Sequence, residues 1–302
     1  MKRAALAAVA LLAACARQSA PPTEQAVIDV HLHALDAEAD WVRARPSWFP
    51  RDLALAADNV AEREQSLAAL RQHHVERAIL SGDGDLPAAW KAADPGRFVI
   101  SRFLWDPQVD KASLAALEAD IRAGRIAAIG EICAQYNNKT PDELEPLFAL
   151  ADRLDVPVSV HMGPGPPVDG DENYKMANGR PLLFEGVLAR HPKLRLQVMH
   201  AGWPFLDEML ALLWAYPNVY VDVAVIDWFI PRAEFHVYLK RLVDAGFSDR
   251  IMYGSDQMFF PGAIDRSLEA IDTATFLTPQ QKRAILHDNA ARFYRLESPP
   301  AG

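Results

Sequence analysis

The strongest constraint on the fold of this chain is a regular alternation of short apolar runs with longer amphipathic segments. Eight apolar runs of strand length occur after residue 25, and segments with helical periodicity lie between them. This alternation is typical of repeated βα units around a parallel sheet. A doubly wound open sheet is the weaker alternative, because no glycine-rich phosphate turn follows the first run. The pattern predicts an α/β fold, a (β/α)₈ TIM barrel formed by a single domain over residues 26–302.

The predicted strands and helices can be assigned along the chain. The strands are expected at Ala26–His31, Arg77–Ser81, Arg97–Leu104, Ala127–Ile132, Pro157–His161, Arg195–His200, Val219–Val225 and Arg250–Gly254. The helices are expected at Val60–His73, Ser113–Arg122, Asp142–Leu154, Leu182–Arg190, Pro204–Trp214, Glu234–Asp244, Ile264–Thr275 and Pro279–Tyr294. The last of these helices is expected to pack on the outside of the barrel.

The first 25 residues are interpreted as a targeting segment. Lys2 and Arg3 precede an apolar run over residues 4–14 that is too short to span a bilayer. Leu12-Ala13-Ala14-Cys15 resembles a bacterial lipobox, which predicts a signal peptide at residues 1–14, lipidation of Cys15 and a tether over residues 15–25. An ordinary secretory peptide is the alternative. The mature protein is expected outside the cytoplasm, on the periplasmic side of the outer membrane, with its lipid as the only membrane contact.

Net charge and cysteine content narrow the range of partners. The formal charge of −9 at pH 7 is spread through the chain, so a basic surface for nucleic acid is not expected. Cys15 and Cys133 are the only cysteines in the sequence, and the lipobox gives Cys15 a separate use, so a disulfide framework is not expected. The expected partner is a small-molecule substrate, and a homo-oligomer is left open.

Residues of metal-binding type fall at the ends of five predicted strands. In a parallel barrel the carboxyl ends of the strands converge, so side chains far apart in sequence meet there. In His31-Leu32-His33, alternation with a period of two directs both imidazoles to the same face. The candidate ligands are His31, His33, Glu131, His161, His200 and Asp256.

These four imidazoles and two carboxylates form a mixed nitrogen and oxygen set. The set suits one or two divalent ions, zinc first, with manganese, iron or cobalt as alternatives. Taken singly, each side chain is better explained as a buried, hydrogen-bonded polar residue at a strand end. Their coincidence at one end of the predicted barrel favours a metal site.

The order of these residues resembles the metal-dependent amidohydrolase superfamily, in particular its amidohydrolase-related branch of hydrolases and nonoxidative decarboxylases. The resemblance extends over nearly everything from Val27 to Leu296 and is weakest in the first helical units. The stretches that carry it beyond the candidate ligands are Leu194–Gly202, Tyr216–Asp222, Tyr253–Asp256 and Ile285–Phe293.

The resemblance implies metal ligands at four positions, with His200 as a further ligand or as a catalytic side chain that polarises the substrate. The four positions are His31, His33, His161 and Asp256. The chemistry of Asp256 agrees, because a divalent ion lowers the pKa of the water it binds and a neighbouring carboxylate can take the proton. The chain differs from many members in having Glu131 instead of a carboxylated lysine, and from some decarboxylases in keeping His31. Both differences favour hydrolysis over decarboxylation.

Glu131 is hypothesised to bridge two ions, because the two oxygens of a carboxylate can each bind one. The first ion would be bound by His31, His33 and Asp256, and the second by His161 and His200. The alternative is a single ion with Glu131 beside the ligands, since a shift of one residue in strand register would turn Glu131 away from the site.

Aromatic and basic residues after the strands are candidates for substrate binding. An apolar or ring-containing substrate with one polar reacting group would suit the aromatic residues, and an anionic group would suit the basic ones. The alternative roles are packing at the barrel rim and solvated or ion-paired positions on the surface. The candidates are Trp48, Arg102, Tyr174, Arg180, Trp203 and Trp228.

The sequence therefore predicts an enzyme, a metal-dependent hydrolase in which Asp256 and His200 are catalytic. It would cleave an ester, lactone, amide or phosphoester bond. The first alternative is a metal-dependent nonoxidative decarboxylase or hydratase of an aromatic or unsaturated acid. The second is a non-catalytic lipoprotein that binds metal or a ligand, against which the carboxylate of Asp256 argues, because a binding site has little need of a base.

Overall fold

The computed structural model describes residues 25–163, 165 and 172–296, and it confirms the predicted TIM barrel. Eight parallel strands follow one another around the sheet in the order of the sequence. The strands are β1 Val27–Ala34, β2 Val75–Gly82, β3 Phe98–Leu104, β4 Ala128–Ile132, β5 Val158–Val160, β6 Leu196–Val198, β7 Val219–Asp222 and β8 Ile251–Met252. The predicted signal peptide and Cys15 lie outside the described residues.

Strand β1 meets the chain that directly follows β8 through single backbone hydrogen bonds. The amide of Val30 donates to the carbonyl of Tyr253 at 3.0 Å, and the amide of Asp256 donates to the carbonyl of His31 at 2.7 Å. We call this contact the seam of the barrel. Because Asp256 follows β8 closely, the seam brings its side chain to the carboxyl end of β1.

Twelve α-helices lie between and after the strands in the described part of the chain. They are α1 Asp40–Arg43, α2 Asn59–Gln72, α3 Leu86–Ala93, α4 Lys111–Arg122, α5 Glu145–Leu154, α6 Glu185–Arg190, α7 Leu206–Ala215, α8 Ile226–Phe229, α9 Arg232–Asp244, α10 Ala263–Asp272, α11 Pro279–Arg283 and α12 Asn289–Tyr294. Short 3₁₀ helices lie at Ala134–Asn137, Asp142–Leu144, Met176–Gly179, Pro181–Phe184 and Met199–Gly202, and a π-helical turn at Ala284–Asp288 joins α11 to α12. In the described ranges, no helix is long and apolar enough to cross a membrane.

Helix α3 is absent from the sequence prediction, whereas α2 is predicted and begins after the capping residue Asp58. The eight residues of α3 cover little more than two turns, so they repeat the apolar period too few times to be recognised. The carboxylate of Asp58 accepts a hydrogen bond from the amide of Ala61 at 2.7 Å, which satisfies a free donor in the first turn of α2.

The last helical segment covers the amino end of the barrel. Side chains of Ile28 and Met252, which belong to the strands, form an apolar cluster with Ala290 and Phe293 of α12. The side-chain amide of Asn289 donates to the carbonyl of Ile251 at 2.7 Å and fixes the start of the helix. This segment therefore lies outside the strands, and its apolar face packs beneath the barrel, against strand residues at the amino end.

A cluster of aromatic side chains lies between the loops that follow β1 and β8. Phe49 contacts Phe260 with ring centroids 5.1 Å apart, and Trp41 contacts Phe259 at 5.4 Å. These contacts hold the chain after Asp256 against the long loop at residues 35–58, on the side of the barrel where the strands end.

Candidate metal centre

All six predicted ligand side chains meet at the carboxyl end of the barrel and are at most 9% exposed. His31 and His33 lie within β1, Glu131 lies within β4, and the other three follow the ends of β5, β6 and β8. They come together because the residues before them form buried parallel strands that end at one level. The three that follow strands are His161, His200 and Asp256.

The first group of ligand atoms surrounds one oxygen of Glu131. Nε2 of His33 lies 3.1 Å from Oε2 of Glu131, and Nε2 of His31 lies 3.6 Å from the same oxygen. The two imidazole nitrogens are 3.1 Å apart. Oδ1 of Asp256 completes the group at 3.3 Å from Nε2 of His33.

The second group surrounds the other oxygen of the same carboxylate. Nδ1 of His161 lies 2.5 Å from Oε1 of Glu131, and Nε2 of His200 lies 3.9 Å from that oxygen. The two imidazoles approach to 3.1 Å. Glu131 thus turns one oxygen towards each pair of histidines.

Burial and neighbouring charges keep His200 in the form that metal binding requires. Burial, with added repulsion from His161 and His31, lowers the pKa of His200 to about 4, so its imidazole is neutral at physiological pH. Nδ1 of His200 lies 3.0 Å from the carbonyl of Ala224. Since a carbonyl only accepts, Nδ1 carries the hydrogen and Nε2 keeps its lone pair for the site.

The carboxylate of Glu131 stays ionised in spite of its burial. Burial raises the pKa of Glu131, but hydrogen bonds from His161, His31 and His33 outweigh it and hold that pKa well below its usual value. The pKa of His31 is raised well above its usual value, because the carboxylates of Asp256 and Asp222 outweigh the effect of burial, which lowers it. The site therefore concentrates negative charge against histidine nitrogens, a setting that a divalent cation would complement.

Two acids that were not predicted from the sequence contact the candidate ligands on the side away from the proposed metal. Asp222 at the end of β7 accepts hydrogen bonds from the amides of His200 and Ala224, each at 3.0 Å, and its other oxygen lies 3.4 Å from Nδ1 of His31. Asp29 accepts from the amide of His31 at 2.9 Å. The signal available in the sequence was the position of Asp222 in the stretch Tyr216–Asp222, within an apolar strand.

The donor set fits a divalent metal. Three overlapping groups place one ligand atom from each member within 4.8 Å of the others, and all members are buried. The groups are His31, His33 and Glu131; His31, His200 and Asp256; and Glu131, His161 and His200. Neutral imidazoles with carboxylates are the ligands that zinc and manganese accept in enzymes.

A wall of aromatic rings, formed by Phe103, Trp105, Tyr136 and Tyr174, stands beside the ligands. The ring of Phe103 lies 5.8 Å from that of His33, and the ring of Tyr136 lies 5.2 Å from that of His161. Trp105 stacks on Tyr136 at 4.8 Å, and the ring of Tyr174 lies 5.2 Å from that of Tyr136. Of the four, only Tyr174 was predicted; alternation along β3 could have indicated Phe103.

The other predicted substrate-binding residues have partners of their own. Trp228 is buried, and its indole nitrogen donates to the carbonyl of Ser255 at 2.7 Å. Trp48 packs edge-on against Phe49 at 4.6 Å, and Trp203 packs against the main core.

The structure does not bring Arg102 or Arg180 to the ligands as free cations. Arg102 forms an ion pair with Asp120 of α4, on the outer side of the sheet. Phe103, its neighbour in β3, faces the ligands instead, as alternation along a strand requires. Arg180 forms an ion pair with Glu208 of α7.

Comparison with known sequences finds a family match over most of the chain. The family model described as Amidohydrolase matches residues 28–296. Protein fluG of Emericella nidulans is 26% identical over 161 residues, which are 48% of this chain and 18% of that protein. The matched region thus spans less than a fifth of this relative.

Comparison with solved structures finds the same fold. An uncharacterised TIM-barrel protein from Bordetella bronchiseptica is 18% identical, with a TM-score of 0.67 over 89% of this chain and 98% of that chain. A dihydroxybenzoic acid decarboxylase from Polaromonas sp. JS666, with bound manganese and 2-nitroresorcinol, is 14% identical, with a TM-score of 0.63 over 90% and 97%. A probable 2-pyrone-4,6-dicarboxylic acid hydrolase from Acinetobacter baumannii, with bound citric acid, is 14% identical, with a TM-score of 0.60 over 89% and 99%.

Proposed function

Since the chain belongs to the amidohydrolase family, we propose that it is a metal-dependent hydrolase that cleaves an ester, lactone, amide or phosphoester bond. The observation that carries this proposal is the arrangement around Glu131. Its two oxygens face two different pairs of histidines, and Asp256 stands beside one pair. This arrangement offers nitrogen and oxygen donors that would suffice for two ions, with the carboxylate of Asp256 as the proposed base.

The proposed holders of the metal are the six buried side chains. His31, His33 and Asp256 would hold one ion, His161 and His200 the other, with Glu131 between them. A divalent ion at this site supplies Lewis-acid chemistry by lowering the pKa of a water molecule it binds. Zinc is the first candidate for the metal, and manganese is the second because it is bound in the similar decarboxylase structure.

The residues of the chain have separate tasks in this reaction. Asp256 accepts the proton of the attacking water, since a carboxylate within hydrogen-bonding reach can act as a general base. His200, neutral and held by the Ala224 carbonyl, either keeps its Nε2 for the metal or directs it at the substrate. The aromatic wall excludes water on one side and offers ring faces to a planar substrate.

A nonoxidative decarboxylase of an aromatic acid is the second candidate. The same aromatic wall favours it, because the exposed face of Trp105 and the ring of Tyr136 suit a benzoate-like ring near the ligands. Among the similar structures are both a decarboxylase of dihydroxybenzoic acid and a probable hydrolase of a pyrone dicarboxylic acid.

One experiment separates the two reactions. The purified protein is stripped of metal, reloaded with zinc or manganese, and given two panels, one of lactones and esters with ring substituents and one of hydroxybenzoic acids. Metal-dependent acid release from the first panel without CO₂ release from the second would support the hydrolase. CO₂ release from the second panel alone would replace it by the decarboxylase, and an Asp256→Asn variant serves as the inactive control in both.

We also propose that the protein works outside the cytoplasm, held to a membrane by a lipid on Cys15. The support is in the sequence: two cationic residues, an apolar run of eleven residues from Ala4 to Ala14, and a lipobox-like Leu12–Cys15. An acyl chain supplies membrane affinity through its buried methylene groups, so the barrel needs no membrane-binding surface of its own.

A further inference from the structure

Gln257 joins the two sides of the barrel seam beside the proposed ligands. Its side-chain oxygen accepts a hydrogen bond from the amide of His33 at 3.0 Å, and its side-chain nitrogen donates to the carbonyl of the same residue. Gln257 directly follows Asp256 and is fully buried. It therefore fixes the backbone of one proposed ligand against the backbone next to another, at the seam where β1 and the chain after β8 are joined by single hydrogen bonds.

A buried acid on a helix fixes the orientation of this glutamine. The side-chain nitrogen of Gln257 also donates to Oε1 of Glu62 at 3.0 Å, and Glu62 lies in the first turn of α2 with 1% of its surface exposed. Burial raises the pKa of Glu62 well above its usual value. Because the His33 amide must be met by the side-chain oxygen of Gln257 and the His33 carbonyl by its nitrogen, a flipped amide would lose both hydrogen bonds to His33.

We propose that Gln257 and Glu62 are positioning residues that set the location of His33 relative to Asp256, and through it the affinity of the site for a divalent metal. The proposal rests on the proposed function only for the role of His33 and Asp256 as ligands. Residues that hydrogen-bond to metal ligands commonly affect metal affinity, since they hold the ligand atoms within the narrow geometry that a metal accepts.

The simplest opposing explanation is that Glu62 only fills space under α2. Ser66 offers a matched control, because it lies one turn further along the same helix and is also fully buried. In the described part of the chain, its hydroxyl has no hydrogen-bond partner. A change at Ser66 therefore tests the packing of α2 without touching Gln257.

The test compares four variants of the full-length protein, with zinc affinity measured by competition with a chromophoric chelator. Gln257→Leu and Glu62→Leu should each weaken zinc binding by about tenfold or more, because the backbone of His33 is no longer fixed. Glu62→Gln should stay within about twofold of the parent, since an amide oxygen still accepts from Gln257, and Ser66→Ala should do the same. Zinc affinity as high as that of the parent in Gln257→Leu, or a loss in Glu62→Gln as large as in Glu62→Leu, would overturn the proposal.

A double variant tests whether Glu62 acts through Gln257. Adding Glu62→Leu to Gln257→Leu should weaken zinc binding no further, because the contact that transmits the effect is already gone. A further loss as large as that of Glu62→Leu alone would show that Glu62 acts by another route and would overturn the proposal.

The hydrogen-exchange rate of the His33 amide tests the positioning role of Gln257 and Glu62 in protein without metal. This amide donates to Gln257, so it should exchange faster in Gln257→Leu and in Glu62→Leu than in the parent and in Ser66→Ala. If the parent binds neither zinc nor manganese, the proposed function fails, while this measurement still decides the positioning role. Unchanged exchange in Gln257→Leu would refute it.

Discussion

Asp256 is the single side chain on which the proposed reaction depends most. We expect Asp256→Asn to lower kcat by about 10²–10⁴-fold, because an amide cannot accept the proton of the attacking water. The fold should be retained, since the two side chains have the same shape. Asp249→Asn is the control, because Asp249 is an exposed carboxylate just before β8. Steady-state kinetics on a substrate found in the panels measures this; kcat equal to that of the parent would remove Asp256 from the mechanism.

In the proposed site, the bridging role of Glu131 would determine whether one or two ions bind. An amide at this position offers one acceptor oxygen in place of two, so Glu131→Gln should lower the metal content from about two ions per chain to about one and reduce turnover with it. Mass spectrometric metal analysis of the reloaded, folded protein measures the ratio. Glu143→Gln, an exposed acid after β4, is the control.

Metal content also provides the outcome that would contradict a bridging Glu131. If the parent protein, saturated with metal, holds one ion per chain, Glu131 does not bridge. His200 would then be a catalytic residue that faces the substrate through Nε2, and not a ligand.

The sequence could predict the meeting of the candidate ligands and could not predict their supports. His161 or Asp256 is recognisable because a polar residue ends an apolar run, and strand ends in a barrel converge. Gln257 and Glu62 lie 195 positions apart, so their contact depends on how α2 packs at the seam. Periodicity along one segment carries no information about such a contact.

At the level of elements, the seam between β1 and β8 is where chain geometry acts most directly on the site. Gly254 lies between β8 and Asp256, and a Cβ added there would stand 2.7 Å from Cβ of His31 and 3.2 Å from Cβ of Ala224. A contact below 3.0 Å forces something to move, and His31 is a proposed ligand held on its other side by Asp222. The glycine is therefore required by the close approach of the two strands.

This close approach predicts a loss of metal from a change that touches no ligand. Gly254→Ala should displace His31 and lower both the metal content and the turnover of the protein, with a destabilisation of about 1–3 kcal/mol from overpacking. Gly262→Ala is the matched control, because a Cβ there meets only Leu53, at 3.4 Å. Metal analysis and thermal unfolding of both variants check this; full metal content in Gly254→Ala would contradict it.

The elements themselves were predictable to different degrees. Strand β1 is longer than its prediction and contains both of its histidines, while β8 is only Ile251–Met252 because the chain leaves the sheet early to form the seam. Helix α12 shows the periodicity of any amphipathic helix, and its apolar face does not reveal whether it packs beside the barrel or beneath it. Register and packing partner are set by contacts between elements, which the pattern of one element does not contain.

At the scale of the whole molecule, the proposed site and the start of the chain's first strand lie at opposite ends of the barrel. The proposed ligands occupy the carboxyl end, and α12 covers the amino end. Strand β1 also starts at the amino end, where the amide of Val27 donates to the carbonyl of His74. A tether before β1 would therefore attach to the barrel on the side away from the ligands, so that a lipid anchor leaves the site open to solvent.

The proposed lipid anchor at Cys15 can be tested by cell fractionation. Cys15→Ser removes the thiol that would carry the lipid, so the protein should move from the membrane fraction to the soluble fraction of the cell, because no other membrane contact is proposed. Cys133→Ser is the matched control: Cys133 is buried after β4, and its loss should leave the protein with the membranes. Fractionation followed by a high-salt wash measures both, since salt releases proteins held by charge but not by an acyl chain. A Cys15→Ser protein that stays with the washed membranes as firmly as the parent would show that the attachment does not depend on this cysteine.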